Sequence, residues 1–453
     1  MASGLSARLR VGYALGGIAT GSFGTVPGLL LLPYLTDSLG IGSALAGLIV
    51  FLPKAWDVIV NPITGRLSDR SSNARRTRRP FLLWGGLALA LSFALLFSGP
   101  QAPRGVAGGW VAVIFLLCAT AYSAFQVPYV AMPAELTGDY AERTRLLSWR
   151  VAILAVAILA SGASAPLIRN LVGGAAGYRA MAIFVALLIL VGVLGAYVGT
   201  SGARTTAVPS PPGGLSGQLS LAWRIRDFRL LLLTFVVQAL AIGSMLAGVD
   251  YVSRAVLHDP SASSFLFACF VGPAVLVTPL WQRVAGRLGK KRGYVIGSGV
   301  LTAGAASLLA VGSAPPIVIY AVAAIAGAGY AGCQLFPLAM LPDTAAHHAE
   351  RTGENRVGLL TGVWTAGETL GLALGPAIFA LVLTIGGYRS STAGDLVQPA
   401  RAITAIRVGF AALPAALIMI SLLALRGYTL GPDDLRHAAV GPADTTGDGS
   451  PVG

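Results

Sequence analysis

This chain has few charges, fewer acids and almost no thiols or imidazoles. Only 11% of its 453 residues are charged, against about 25% in a soluble domain. So little charge cannot cover a water-soluble globule, which excludes a soluble fold. The three cysteines (Cys118, Cys269, Cys333) form no spaced metal set and fall in apolar runs, so they read as free buried thiols. The four histidines (His258, His347, His348, His437) lie in predicted loops or the tail. With no phosphate loop, nucleophile elbow or metal-ligand spacing, nothing points to an enzyme, a cofactor or a metal site. Arg8 and Arg10 precede an apolar run of full span length rather than the short core of a cleavable signal peptide.

What the chain does have is apolar sequence. Hydrophobic residues make up 55% of it, with a mean hydropathy of +0.74. Twelve runs reach the roughly 20 residues that a membrane helix needs. Six lie near 11–35, 43–67, 80–99, 109–134, 148–170 and 177–198. Six more lie near 228–252, 263–285, 293–312, 315–341, 358–385 and 403–426. Glycine (58) and proline (26) recur inside them, which spanning helices tolerate when neighbours satisfy the freed backbone groups.

A net charge of +14 raises nucleic acid as a partner, but the positions of the charges argue against it. If the N-terminus is cytoplasmic, 24 of the 32 Lys and Arg lie in cytoplasmic segments, seven in outer loops, and Lys54 inside a span. That is the positive-inside distribution. It predicts a multi-pass protein of the plasma (inner) membrane with both termini cytoplasmic and basic loops facing anionic lipid headgroups.

The stretch 199–227, with Pro209-Ser-Pro-Pro-Gly-Gly-Leu-Ser-Gly217, breaks the apolar pattern and reads as a cytoplasmic linker. It divides the chain into six-helix units over 1–198 and 228–426, followed by a polar, disordered tail over 427–453. The units repeat weakly. Gly65-Arg66-Leu67 matches Gly286-Arg287-Leu288. Gln126 and Met132 match Gln334 and Met340, and Ala141-Glu142-Arg143-Thr144 matches Ala349-Glu350-Arg351-Thr352, both at an offset of 208. Order and equivalent position give these short matches their weight. The expected fold is therefore an all-α membrane protein of twelve transmembrane helices in two pseudo-symmetric six-helix bundles. This resembles the major facilitator fold, where the substrate site lies between the halves near the midplane.

Further motifs sharpen the resemblance. Tyr34-Leu-Thr-Asp37, Trp56-Asp57-x-x-x-Asn61-Pro62, Pro128-Tyr129 with Glu142-Arg143-Thr144 and Arg150, and Asp343 through Arg351-Thr-Gly353-Glu-Asn-Arg356-Val-Gly358 occur in order. Together they are similar to the glycoside–pentoside–hexuronide:cation symporters, typified by melibiose permease. The resemblance implies that fold and a rocking transport cycle. The chain departs from the family at its acids. The second span-2 acid is Asn61, and the acids of spans 1 and 4 are replaced by Gly21 (or Ser22) and Gln126. A span-11 lysine becomes Thr369, beside Glu368. These departures point away from Na+ coupling and from galactoside recognition.

Asp57 is the residue on which the functional reading turns. A carboxylate at bilayer depth costs a few kcal/mol and is usually paired, in a polar cavity, or functional. On a helix it shares a face with Asn61, and Lys54 lies one turn before it. One reading is a Lys54–Asp57 pair that only neutralises two buried charges. The other makes Asp57, Asn61 and Lys54 the cation-coupling group, because burial and a neighbouring ammonium oppose each other and can poise a proton site. One acid offers few anionic oxygens to Na+, which favours H+. The substrate set is read as Gln126, Tyr129, Gln334, Trp364 and Glu368, with helix packing as the bland alternative for each. Asp250 with Arg254 reads as an interfacial or gating pair. Gly65, Asp69, Arg70, Glu142, Arg143, Glu350 and Arg351 are expected to latch the halves on the cytoplasmic side. The whole describes a monomeric H+-coupled (less readily Na+-coupled) symporter. It would move a small polar solute, such as a sugar or glycoside, by alternating access. The alternative is a carrier or exporter of lysolipids or other amphiphiles.

Overall fold

The computed structural model describes residues 5–75, 77–137, 139–201, 222–352, 357–392 and 397–430. Most of the linker, the tail beyond Leu430 and the loop motif 353–356 lie outside them. Twelve spans run through the described residues. They are α1 (Ala7–Ser38), α2 (Ser43–Arg75), α3 (Arg79–Leu96), α4 (Arg104–Leu136), α5 (Tyr140–Val172) and α6 (Gly174–Gly199). The second set is α7 (Arg226–Val256), α8, α9 (Lys290–Ala310), α10 (Pro316–Thr352), α11 (Val357–Ile385) and α12 (Ala400–Arg426). α8 is broken into Ala262–Leu276 and Thr278–Leu288, bent by 49°. Pro279 follows the break; it lacks an N–H and its ring clashes with the preceding turn, so the helix restarts rather than continues.

Helices α1–α6 pack chiefly on one another, and so do α7–α12. Leucine, valine, isoleucine and tryptophan stay exposed around the outside, among them Trp84, Leu91, Leu171 and Leu276. In water such a belt would be a liability; facing acyl chains it is the expected surface. The internal repeat is visible in the packing. Arg78, just before α3, pairs with Glu135 at the end of α4, and Lys290, the first residue of α9, pairs with Asp343 on α10. Glu135 and Asp343 are 208 residues apart, the offset that relates Gln126 to Gln334. Likewise Gly85 sits against Ala124 as Gly297 sits against Gly332, again 208 apart at the partner.

The halves meet through α2 on α11, α5 on α8 and α1 on α7. These crossings use small residues in the portion of each helix away from the chain termini. A Cβ on Gly47 would lie 2.6 Å from Ala380, and one on Gly162 would lie 2.2 Å from the Phe267 ring. No L-residue with a side chain fits there without moving the partner helix. Towards the face where α1 begins and α12 ends, no described glycine has a Cβ position within 4 Å of the other half. The halves therefore form a wedge, closed at the face opposite the termini.

Candidate functional site

The closed face is held by polar contacts between the halves. Asp250 of α7 accepts from Arg169 Nη2 of α5 at 2.7 Å, and its other oxygen lies 3.2 Å from Arg254 Nε. Asn170 donates to the Pro260 carbonyl at 2.6 Å. Tyr388, beyond α11, donates to Asp37 Oδ1 at 2.9 Å, and Thr36 Oγ1 lies 2.7 Å from the Tyr251 hydroxyl. Burial first, and then the Asp37 carboxylate, push the Tyr388 phenol above its ordinary range, so it stays a donor. Helices α1 and α7 both end here in a π turn, Tyr34–Ser38 and Val252–Val256. A widened turn re-aims the side chains around it, and such turns recur at functional sites. Asp250 thus joins Arg254, as the i, i+4 spacing suggested, but its shorter contact is Arg169 of the other half. That partner is 81 residues away in sequence, and no local pattern announces it.

Deeper in the wedge lies Asp57, only 3% exposed, with its Oδ1 buried and unpartnered. It forms no ion pair with Lys54 among the described residues. Instead the Lys54 ammonium sits 4.8 Å from the centre of the Phe23 ring and 5.7 Å from that of Tyr122. Cation–π contacts of this kind contribute about 0.5–2 kcal/mol. They hold the half-buried lysine without using up the carboxylate. The neutralising pair that the sequence allowed is therefore not formed in this state. Asn61 is half-buried on the same helix. Thr20 of α1 donates to Gln126 Oε1 of α4 at 2.7 Å. Tyr122 lies within electrostatic range of Asp57, of Arg150 on α5 and of Glu368 on α11, so charged groups from both halves converge on it.

On the other side of the wedge, Gln334 Nε2 donates to the Tyr330 hydroxyl at 3.2 Å, and Glu368 lies in range of that same tyrosine. Glu368 is half-buried and makes no hydrogen bond among the described residues. Five of the residues singled out from sequence (Asp57, Lys54, Gln126, Gln334, Glu368) thus belong to one region between the halves. Two do not. Tyr129 is fully buried between α1 and α4, stacked on Tyr13 at 4.7 Å with its hydroxyl donating to the Tyr13 carbonyl at 2.8 Å. Trp364 is 2% exposed and stacks on Phe235 at 4.4 Å inside the second half. In this state both side chains are taken up by helix packing. Tyr122 and Thr20, by contrast, lie beside the singled-out residues, Tyr122 near Lys54 and Thr20 bonded to Gln126.

The contacts described for the expected latch residues lie inside the first half in this state. Asp69 lies 2.6 Å from Arg78 Nη2, while Arg78 Nε donates to Glu135 at 2.7 Å and its remaining nitrogen bonds Ser68. Burial favours the neutral form of this guanidinium, but the Glu135 and Asp69 carboxylates hold it above its usual range. Glu142 is 3.9 Å from Arg145 one turn on, and Arg143 donates to the Thr137 carbonyl. Gly65 lies against Val127 of α4, and Arg70 is exposed. The side chains of Glu350 and Arg351 lie outside the described residues.

Comparison with known proteins agrees with this architecture. A family model described as MFS/sugar transport protein matches residues 12–431. The isoprimeverose transporter of Lactiplantibacillus pentosus is 25% identical, over 92% of this chain and 88% of its own. A sodium-dependent lysophosphatidylcholine symporter of Gallus gallus is 24% identical, over 96% and 88%. Among solved structures, a D-xylose–proton symporter superposes with a TM-score of 0.67 at 15% identity, covering 93% of this chain and 98% of that one. The chain is a secondary transporter and belongs to the MFS/sugar transport family, within its glycoside–pentoside–hexuronide:cation symporter branch.

Proposed function

We propose that the protein is an H+-coupled symporter of a small polar solute, with Asp57 as the coupling group and the termini-bearing face directed to the cytoplasm. One observation carries this reading: the Asp57 carboxylate is buried, with an oxygen that no described residue satisfies. An ionised carboxylate left so is costly, and binding a cation removes the cost. Lys54, held by aromatic rings instead of by Asp57, keeps the local charge balanced without blocking that binding. Coupling then follows if solute binds better when Asp57 is occupied, since the two occupancies favour the same arrangement of the halves. A single carboxylate beside one amide and one ammonium supports H+ over Na+. Gln126, Gln334, Tyr330 and Glu368 supply the hydrogen-bonding groups that would read a hydroxylated solute such as a sugar or glycoside, and the transporter of isoprimeverose is a relative of that kind.

The test is uptake into proteoliposomes under an imposed pH or Na+ gradient. Asp57→Asn should abolish accumulation while leaving solute exchange measurable. Full accumulation by that variant would remove Asp57 from the mechanism. A second reading, carriage of a lysolipid, is favoured by the lysophosphatidylcholine symporter among the relatives. It is also favoured by the amides and small residues standing where sugar-binding members carry acids. Competition by lysolipids and not by glycosides would decide for it.

A further inference from the structure

The transport site does not account for a polar cavity of about 580 Å³ at the termini-bearing face of the second half. Its walls come from three separate stretches. Arg224, Ile225, Arg226 and Asp227 lead into α7, Thr344, His347, His348 and Thr352 lie on the extension of α10, and Thr429 and Leu430 follow α12. The walls are tied together. Thr429 donates to Asp227 through both its amide and its hydroxyl, at 2.8 and 3.1 Å. Thr344 Oγ1 lies 3.1 Å from the Tyr428 hydroxyl, and Lys291 Nζ donates to the Tyr428 carbonyl at 2.6 Å.

Within this frame the charges are unbalanced. Asp227 is occupied by Thr429. Arg224 and Arg226 have no ion-pair partner among the described residues. Thr344, His348 and Thr352 recur every four residues and line the cavity from one helix face, their two hydroxyls held by the Met340 and His348 carbonyls. His347, one position along, has a buried Nδ1 with no hydrogen-bond partner. The start of α7 adds backbone N–H groups with no side-chain cap. Guanidiniums, imidazoles and a helix N-terminus are the groups that recognise a phosphate, and the volume suits a small phosphorylated molecule rather than a bare ion.

We propose that this cavity binds a phosphate-bearing ligand, either a soluble phosphorylated molecule or a phospholipid headgroup, with Arg224 and Arg226 as its charged anchors and His347 as a hydrogen-bonding partner. Bound there, it would bridge the end of the inter-half linker to α10 and to the segment after α12.

The test uses the full chain in dodecyl maltoside micelles, which carry no phosphate. Thermal stabilisation is measured against inorganic phosphate, glucose 6-phosphate and a matched concentration of chloride, and separately with phosphatidic acid included in the micelle. The protein should gain stability with a phosphate probe and not with chloride. Arg224→Gln and Arg226→Gln should each weaken the apparent affinity about tenfold, and His347→Ala should weaken it by less. Arg283→Gln, on an exposed arginine of the same half, should leave it unchanged. A response to the soluble probes assigns a soluble ligand, and a response only to phosphatidic acid assigns a headgroup; both support the proposal. It is overturned if no phosphate probe differs from chloride. It is equally overturned if Arg283→Gln weakens binding as much as the cavity variants, because the effect would then be surface charge alone. A fold check by size-exclusion profile keeps a misfolded variant from counting either way, and the three single variants offer independent readings.

Discussion

The two ends of this transporter are built on opposite plans. At the face away from the termini, named polar contacts run from one half to the other: Arg169 to Asp250, Asn170 to Pro260, Tyr388 to Asp37 and Thr36 to Tyr251. At the termini-bearing face, the ion pairs between described side chains each stay inside a half, Arg78 with Asp69 and Glu135 in one and Lys290 with Asp343 in the other. Bonds across the interface decide which state is populated. Bonds within a half hold its shape in every state. The same residue types therefore do two jobs, and mutations at the two ends should differ in kind as well as in size.

The largest effect is expected at Asp250. Its carboxylate is fully buried between two guanidiniums, and Arg169 is 2% exposed. Asp250→Ala leaves Arg169 buried and uncompensated, which costs about 3–5 kcal/mol. The thermal unfolding temperature in nanodiscs should fall sharply. Adding Arg169→Ala should recover much of the loss, and the double-mutant cycle gives the pair its own energy. If the two losses simply add, the pair is not the lock described here.

Next comes Tyr388→Phe, which removes one hydrogen bond to Asp37 and little volume. A hydrogen bond to a charged group is worth about 1.5–3 kcal/mol. Because that bond exists only when this face is closed, the variant should shift the population towards the state open there. Spin-label distances across the closed face would read the shift. Gly47→Val should have a comparable cost of about 1–3 kcal/mol by overpacking Ala380, again only in the closed arrangement. An unchanged distance distribution in both variants would mean that these crossings do not set the equilibrium.

Much of this was legible in the sequence, and the rest was hidden for a physical reason. Spans, halves and repeat follow from local apolar runs and from matches such as Gln126 with Gln334, because a membrane helix must satisfy its own backbone within one segment. The isolated acids Asp57 and Glu368 stand out for the same reason: each is costly where it lies. Which helix faces them is a matter of tertiary rotation, and no run of residues encodes that. Tyr129 and Trp364 are aromatics in cavity-lining helices and could equally have faced the wedge; neighbours on α1 and α7, Tyr13 and Phe235, drew them into helix interfaces. No local pattern marks Arg169, because its acid lies in the other half.

The smallest effect sharpens the comparison most, because it comes from the repeat itself. Arg78 and Lys290 hold similar places at the starts of α3 and α9, and each pairs with an acid on the facing helix. Their surroundings differ. The Arg78 and Glu135 side chains are 6% and 2% exposed, whereas those of Lys290 and Asp343 are 39% and 21% exposed. Arg78→Ala should cost a few kcal/mol, since Glu135 is left buried without its cation. Lys290→Ala should cost no more than about 1 kcal/mol, because solvent screens the pair and takes up the freed carboxylate. Neither should move the distances across the closed face, since both bonds lie within a half. If Lys290→Ala shifted that distribution while barely changing stability, the termini-bearing face would be bonded across the halves in another state of the cycle, and Lys290 would be exchanging its partner as the wedge closes.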